Sequence, residues 1–285
     1  MATPGRTRRI AVVGLDGCGK SSVIARLREL APASPGAFAS ITCPDFHDTP
    51  DAPMHDLSRK LKIFSGACDE IGSTEMKALS MYLQMTLYGP VERFFLSTFT
   101  PEVLVCERHP LIETFVYGPL YVQLAGSGWD GSALEPTIRS VVDHSGGDVF
   151  ASVSSWHAAE TERLGDKIGL WQRFADVARA VQTEFAPAVA DFAERYRTTL
   201  PDVVLWLDVP PEQAAARCAA RSSSGVVEVH ETPAFLAILR QGYLQFQESI
   251  SHAFPDVRMH VVDTSDGVDV DSSVRACVTE GRLFV

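Results

Sequence analysis

Paired cysteines are missing from this sequence. Its six cysteines, Cys18, Cys43, Cys68, Cys106, Cys218 and Cys277, stand singly without a CxxC pair. That argues against a zinc site or a disulfide framework and for a reducing, cytoplasmic location. Long apolar runs are missing as well. The longest uncharged stretch, residues 114–129, is broken by Gly118, Pro119 and Gly126 and falls short of a membrane span. The opening MATPGRTRR leads into an apolar segment at 10–13 that is too short for the core of a signal peptide, so no membrane partner is expected. Positive charge is scarce: 25 Lys and Arg stand against 36 Asp and Glu, a formal net charge of −11. Such a field repels polyanions and speaks against long nucleic acid as a partner. Small phosphorylated ligands stay compatible, because they need only local cations. Internal repeats and low-complexity tails are also absent.

What is present reads as an α/β chain. With 46% hydrophobic and 21% charged residues, its 285 residues can bury a sizeable core. Short apolar segments at 10–13, 40–43, 103–106, 203–209 and 259–262 read as strands. Helical spacing follows residue 21 through Val23, Ile24, Leu27 and Leu30. It recurs over about 52–64, 73–99 and 170–197, from Pro210-Pro211-Glu212 up to a loop at 222–232, from there to about 254, and from 268. The 103–106 segment is apolar throughout, as in a strand buried on both faces. It ends in Glu107-Arg108-His109, polar residues at the edge where α/β sheets bind ligands. Strands alternating with helices imply a parallel sheet of about five strands covered by helices. One domain over 1–285 is expected, with a Gly/Ser-rich insertion of helix and loop at 125–170 and a candidate lid loop at 222–232.

Gly14-Leu15-Asp16-Gly17-Cys18-Gly19-Lys20-Ser21 fits GxxxxGK[ST] between a predicted strand and a predicted helix. That context makes it a phosphate loop and the fold a three-layer P-loop NTPase. Gly14, Asp16, Gly17, Cys18, Gly19, Lys20, Ser21 and Ser22 are then the candidate ATP-binding residues. The glycines let backbone N–H groups turn toward phosphates, and the helix N-terminus adds partial positive charge. Lys20 would reach the β- and γ-phosphates and the Ser21 hydroxyl would ligate Mg²⁺. Asp16 has two readings, orienting or deprotonating an acceptor hydroxyl or closing an Asx turn. Asp45, His47, Asp48 and His55, like His144 and His157, lack metal-site spacing and read as solvated loops. Trp129, Trp156 and Trp171 read as packing anchors.

With the loop, the strand ending Glu107-Arg108-His109, the segment 201–211 followed by an arginine-bearing helix, Gly242-Tyr243 and residues 262–265 in this order, the chain resembles the thymidylate kinase family. That resemblance covers most of the chain outside about 125–170 and the loop after Cys43. It implies that Glu107 lies near the Mg²⁺ or acts as base, and that Arg108 holds acceptor or phosphate oxygens; a strand-end ion pair is the plainer alternative. It implies that Arg217 and Arg221, four apart on one helical face, are lid arginines, against the alternative of a solvated face. It also places residues 263–267 by the adenine. Two departures bear on the acceptor. Where the family carries Arg-Glu-Pro this chain has Thr42-Cys43-Pro44, and the family's helical arginine falls near Thr86. Both acceptor-phosphate arginines are therefore absent, with Arg59, Lys60 and Arg93 as candidate substitutes.

The expected function is a kinase that transfers the γ-phosphoryl group of MgATP to a nucleoside, nucleotide or similar small acceptor other than dTMP. The candidate catalytic residues are Lys20, Asp16, Glu107, Arg108, Arg217 and Arg221, with Ser21 and Glu107 at the metal. Two rivals stay open: a kinase of a non-nucleotide alcohol, and a P-loop switch or sensor module. A guanine-specificity NKxD motif is absent. The sequence leaves room for a homodimer.

Overall fold

The computed structural model describes residues 6–34, 36–126, 129, 131–144, 147–221 and 231–284. In chain order the elements are β1 (Arg8–Gly14), α1 (Lys20–Leu30), β2 (Phe38–Thr42), α2 (His55–Ile71), α3 (Thr74–Met85), α4 (Tyr88–Thr98), β3 (Val103–Glu107) and α5 (Pro110–Leu124). Then come α6 (Glu135–His144), α7 (Val149–Leu164), α8 (Arg173–Val181), α9 (Phe185–Tyr196), β4 (Val203–Asp208), α10 (Pro211–Arg221), α11 (Pro233–Ala253), β5 (Arg258–Asp263) and α12 (Val270–Gly281). They fall into two compact units, one of Met1–Thr42, Phe94–Ile112 and Leu200–Val285, the other of Cys43–Arg93 and Glu113–Thr199.

The first unit holds a five-stranded, all-parallel sheet in the order β2-β3-β1-β4-β5. Its central strands are buried because they are apolar throughout: Ile10 to Val13, Leu104 to Cys106 and Val203 to Leu207 are at most 2% exposed. The edge strand β5 is wetter, with Val261 exposed. Sequence order runs from β1 to β2 on one side and later to β4 on the other, so the strand order switches at β1. In open parallel sheets ligands bind outside the C-terminal ends of the strands at such a switch. β1 ends at Gly14, the first residue of the glycine-rich segment 14–21.

The second unit is helical. The pattern over 73–99 predicts one helix, but α3 stops at Met85 and α4 begins at Tyr88. Thr86 bonds its hydroxyl back to the Leu83 carbonyl, and Pro90, which has no N–H, opens the next helix. The 170–197 pattern divides likewise into α8 and α9, where Thr183 closes on the Ala180 carbonyl and Pro187 sits in the first turn of α9. α5 runs through Pro119, a helix that the uncharged stretch did not announce. Within the predicted 125–170 insertion lie the whole of α6 and α7; of the candidate lid loop, residues 222–230 lie outside the described residues. No described helix is long and apolar enough to cross a membrane.

Candidate functional site

The loop between β1 and α1 is shaped by where its glycines sit. Gly14 has φ +147, and a Cβ there would come within 2.4 Å of the Leu207 carbonyl oxygen; at Gly17, with φ +82, it would come within 2.3 Å of the Ala214 carbonyl oxygen. The loop thus lies directly against the backbones of β4 and α10, at distances no side chain permits. α1 starts at Lys20 behind a left-handed Gly19, with no side-chain cap and no acidic residue in its first turn. By contrast α3, α11 and α12 are capped by Ser73, Thr232 and Asp269. An uncapped N-terminus keeps its N–H groups and its positive dipole end for an anion.

Lys20 is 6% exposed. Its ammonium donates to the carbonyls of Leu15 at 2.8 Å and Gly14 at 3.0 Å, and lies 3.8 Å from the Asp16 carboxylate. Ser21 donates its hydroxyl proton to Glu107 Oε1 at 2.8 Å, which brings the first turn of α1 to the end of β3. Arg108, at φ +61, pairs with Asp16 through a direct guanidinium–carboxylate contact. Asp16 therefore sits between two cations. Cys18 is buried, and burial raises its thiol pKa, so it stays a neutral packing group within the loop. His109 is also buried; burial, then the charge of Arg9, lowers its pKa to about 3 and keeps it neutral.

Arg217 and Arg221 have unlike surroundings. Arg217 donates to the Gly17 carbonyl at 3.4 Å and to Asp266 at 2.7 Å, tying α10 to the loop and to the 263–267 turn. Arg221, 64% exposed in its side chain, reaches the Cys218 sulfur and lies 3.9 Å from Glu231. The sequence reading assigned no part to Asp208 and Arg240, which form a two-bond ion pair at 2.7 Å each between the end of β4 and α11. The available signal was the one that singled out Glu107: a carboxylate closing an apolar strand. It equally gave no part to the Tyr243 hydroxyl, which contacts the Gly14 N–H at 3.2 Å and the Gly14 carbonyl at 3.3 Å.

In the helical unit, charges meet one another. Arg173 is buried between Asp166 and Asp176, with its Nε 3.5 Å from His157 Nε2. His157, expected in a solvated loop, lies buried on α7, and burial followed by the Arg173 charge lowers its pKa to about 4. Thr86 accepts the Trp156 indole N–H on its hydroxyl at 2.8 Å and an Arg197 N–H on its carbonyl at 3.1 Å. Arg197 also pairs with the buried Glu160 at 2.9 Å. Trp129 and Trp171 pack on Phe174 and Phe150. His47 and His55 bind Ser58 and the Thr49 carbonyl, and Asp45 pairs with Lys62. Among the described residues no group of three His, Cys, Asp or Glu could hold a metal.

Neither a protein-family model nor a curated protein matches this sequence. Solved structures do. Thymidylate kinase from Candida albicans aligns over 97% of this chain and 93% of its own, at 13% identity and a TM-score of 0.51. Deoxyadenosine kinase from M. mycoides aligns over 96% of this chain in two structures. One, with dCMP and dCDP bound, is covered over 98% at 14% identity and a TM-score of 0.49. The other, with dATP bound, is covered over 99% at 13% identity and a TM-score of 0.45. In fold, this chain is thymidylate kinase-like.

Proposed function

We propose that the protein is an ATP-dependent phosphotransferase, a kinase that moves the γ-phosphoryl group of MgATP to a nucleoside, nucleotide or similar small acceptor other than dTMP. Its chief support is the Ser21–Glu107 contact at 2.8 Å, beside a loop whose lysine is already turned onto it. Phosphoryl transfer asks mainly for positioning and charge neutralisation. The loop N–H groups and the uncapped start of α1 would hold the β- and γ-phosphates, and Lys20 would exchange loop carbonyls for phosphate oxygens. Ser21 and Glu107 offer two hard oxygen donors side by side, a set that fits Mg²⁺, which keeps several of its waters and takes one or two protein ligands. When bound, that ion neutralises charge on the phosphates. Asp16, paired with Arg108, would orient an acceptor hydroxyl, and Arg108 would hold an acceptor or phosphate oxygen. Arg217 and Arg221 would serve the transferring group as the α10 arginines.

The acceptor follows from missing cations. A charged phosphate buried without cationic partners is disfavoured, and the two family arginines are replaced by Thr42-Cys43-Pro44 and Thr86. Lys60, a candidate substitute, is engaged by Asp56 and Asp148. Losing a charge-assisted phosphate contact costs on the order of 2–5 kcal/mol, about thirtyfold to several thousandfold in kcat/KM. The test compares kcat/KM for dTMP, thymidine and a panel of neutral alcohols at saturating MgATP, scored by mass gain of one phosphoryl group. A neutral hydroxyl compound should be preferred by at least that margin. Efficient, selective phosphorylation of dTMP would defeat the exclusion of dTMP and direct attention to Arg59 or Arg93 as the cation that takes over the acceptor phosphate.

A further inference from the structure

We infer that Tyr243 is a positioning residue of the phosphate loop, holding the Gly14 peptide in place while Lys20 moves from loop carbonyls to nucleotide phosphates. The inference deepens the phosphotransferase reading and rests on it. A phenol has one proton to give and lone pairs to accept with. Here both are directed at one residue, accepting from the Gly14 N–H and donating to the Gly14 carbonyl. The same carbonyl accepts from Lys20, which also bonds the Leu15 carbonyl. An ammonium that turns to phosphates must withdraw donors from these carbonyls, and a buried carbonyl left without a donor is costly. For Gly14 the tyrosine supplies a second donor, so the peptide at the mouth of the loop keeps its orientation after the lysine leaves.

The hydroxyl is itself fixed. The Tyr243 ring is fully buried and stacks on Trp206 of β4, with centroids 5.6 Å apart and planes 17° from parallel. Three residues earlier on α11, Arg240 grips Asp208 with two hydrogen bonds, which sets the rotation of that helix about its axis. α11 therefore registers the ends of β4 and β1 together. Gly14 has no side chain of its own to do this, and a Cβ is barred by the Leu207 carbonyl.

Tyr243→Phe keeps the ring and its stack and deletes only the hydroxyl. MgATP affinity by titration calorimetry and melting temperature would be measured for the wild type, Tyr243→Phe, Lys20→Ala, their double mutant, and Leu239→Val, which perturbs a buried position of the same helix. Tyr243→Phe should weaken MgATP binding about tenfold, as expected when a buried peptide group loses its partner. Leu239→Val, at a similar loss of melting temperature, should leave affinity within twofold. In the Lys20→Ala background the tyrosine substitution should change affinity less than twofold, since no lysine is left to release the carbonyl. Wild-type affinity in Tyr243→Phe, equal losses in both backgrounds, or a matching loss in Leu239→Val would each overturn the inference while leaving the kinase reading intact. A wild-type protein that binds no MgATP would overturn both.

Discussion

The two units bury charge in opposite ways. In the sheet unit the buried interior is apolar, and among the described residues the one charged side chain buried there is Lys20. Of its other charged groups, Asp16, Glu107, Arg108 and Asp208 collect at or beside the strand ends in close pairs that remain partly open to solvent. In the helical unit Glu92, Glu113, Glu160, Arg173 and Asp176 are all buried, and Arg173 and Asp176 share a network with Asp166 and Arg195. A charge with its partner inside a core is an architectural element, because removing either member strands the other in a low dielectric. A charge at a strand end, with water on one side, can exchange its partner for a ligand. Chemistry is therefore expected from the first unit's charges and stability from the second's.

Lys20→Ala is the sharpest way to break that contrast. Loss of the ammonium should reduce phosphoryl transfer on the order of a thousandfold, the scale of losing a preorganised charge contact, with the circular-dichroism spectrum unchanged. Near-normal turnover in the folded variant would remove the phosphate loop from the mechanism. Arg173→Met asks the reverse question. It removes the cation from Asp166 and one of two buried cations from Asp176, which keeps Arg195, and should cost about 3–5 kcal/mol in urea unfolding, with MgATP affinity unchanged while the protein is folded. A variant as stable as the parent would show that the helical network contributes little.

Arg217→Ala and Arg221→Ala should each lower kcat about tenfold with the KM for ATP unchanged, as for groups that meet the phosphoryl group only on closure. A raised KM at constant kcat would assign the residue to ground-state binding instead. Arg217, already tied to Gly17 and Asp266, is the more exposed to that outcome.

The smallest effect compares one buried histidine from each unit. His109 and His157 are neutral in the fold, with pKa values lowered to about 3 and about 4 by burial first and by Arg9 and Arg173 second. In the unfolded chain they take up protons near pH 6.5, so the unfolded state binds more protons below that pH. Stability should then fall as the pH drops from 6.5 toward 4. For His109 the loss amounts to at most about 2 kcal/mol between pH 6.5 and 5. His157 contributes with the same sign. Replacing His109 with Gln should flatten the dependence of unfolding free energy on pH over that window, and an unchanged slope would mean that the histidine protonates within the fold.

The contiguous features are legible in the sequence. Residues 14–21 carry a local signal of their own, since glycines at fixed offsets supply the positive φ found at Gly14, Gly17 and Gly19, and a helical pattern follows. The apolar strands announced a parallel sheet in the same way, because burial on both faces leaves no alternation. The divisions at Thr86 and at 182–184 were harder, since hydrophobic spacing continues across them and only Pro90 and Pro187 mark the change. His157 was misplaced because a lone histidine in a Gly/Ser-rich stretch gives no sign of the arginine it will pack against.

By itself, then, the sequence determined the glycine-rich turn at 14–21, the strands and the polar residues that close them, all of which depend on neighbours within a few positions. Tertiary structure alone decided which of those residues meet. Glu107 reaches Ser21 across 86 positions and Tyr243 reaches Gly14 across 229. Such pairings follow from the strand order β2-β3-β1-β4-β5. That order is set by which buried faces pack together over the whole chain, and local spacing carries no record of it.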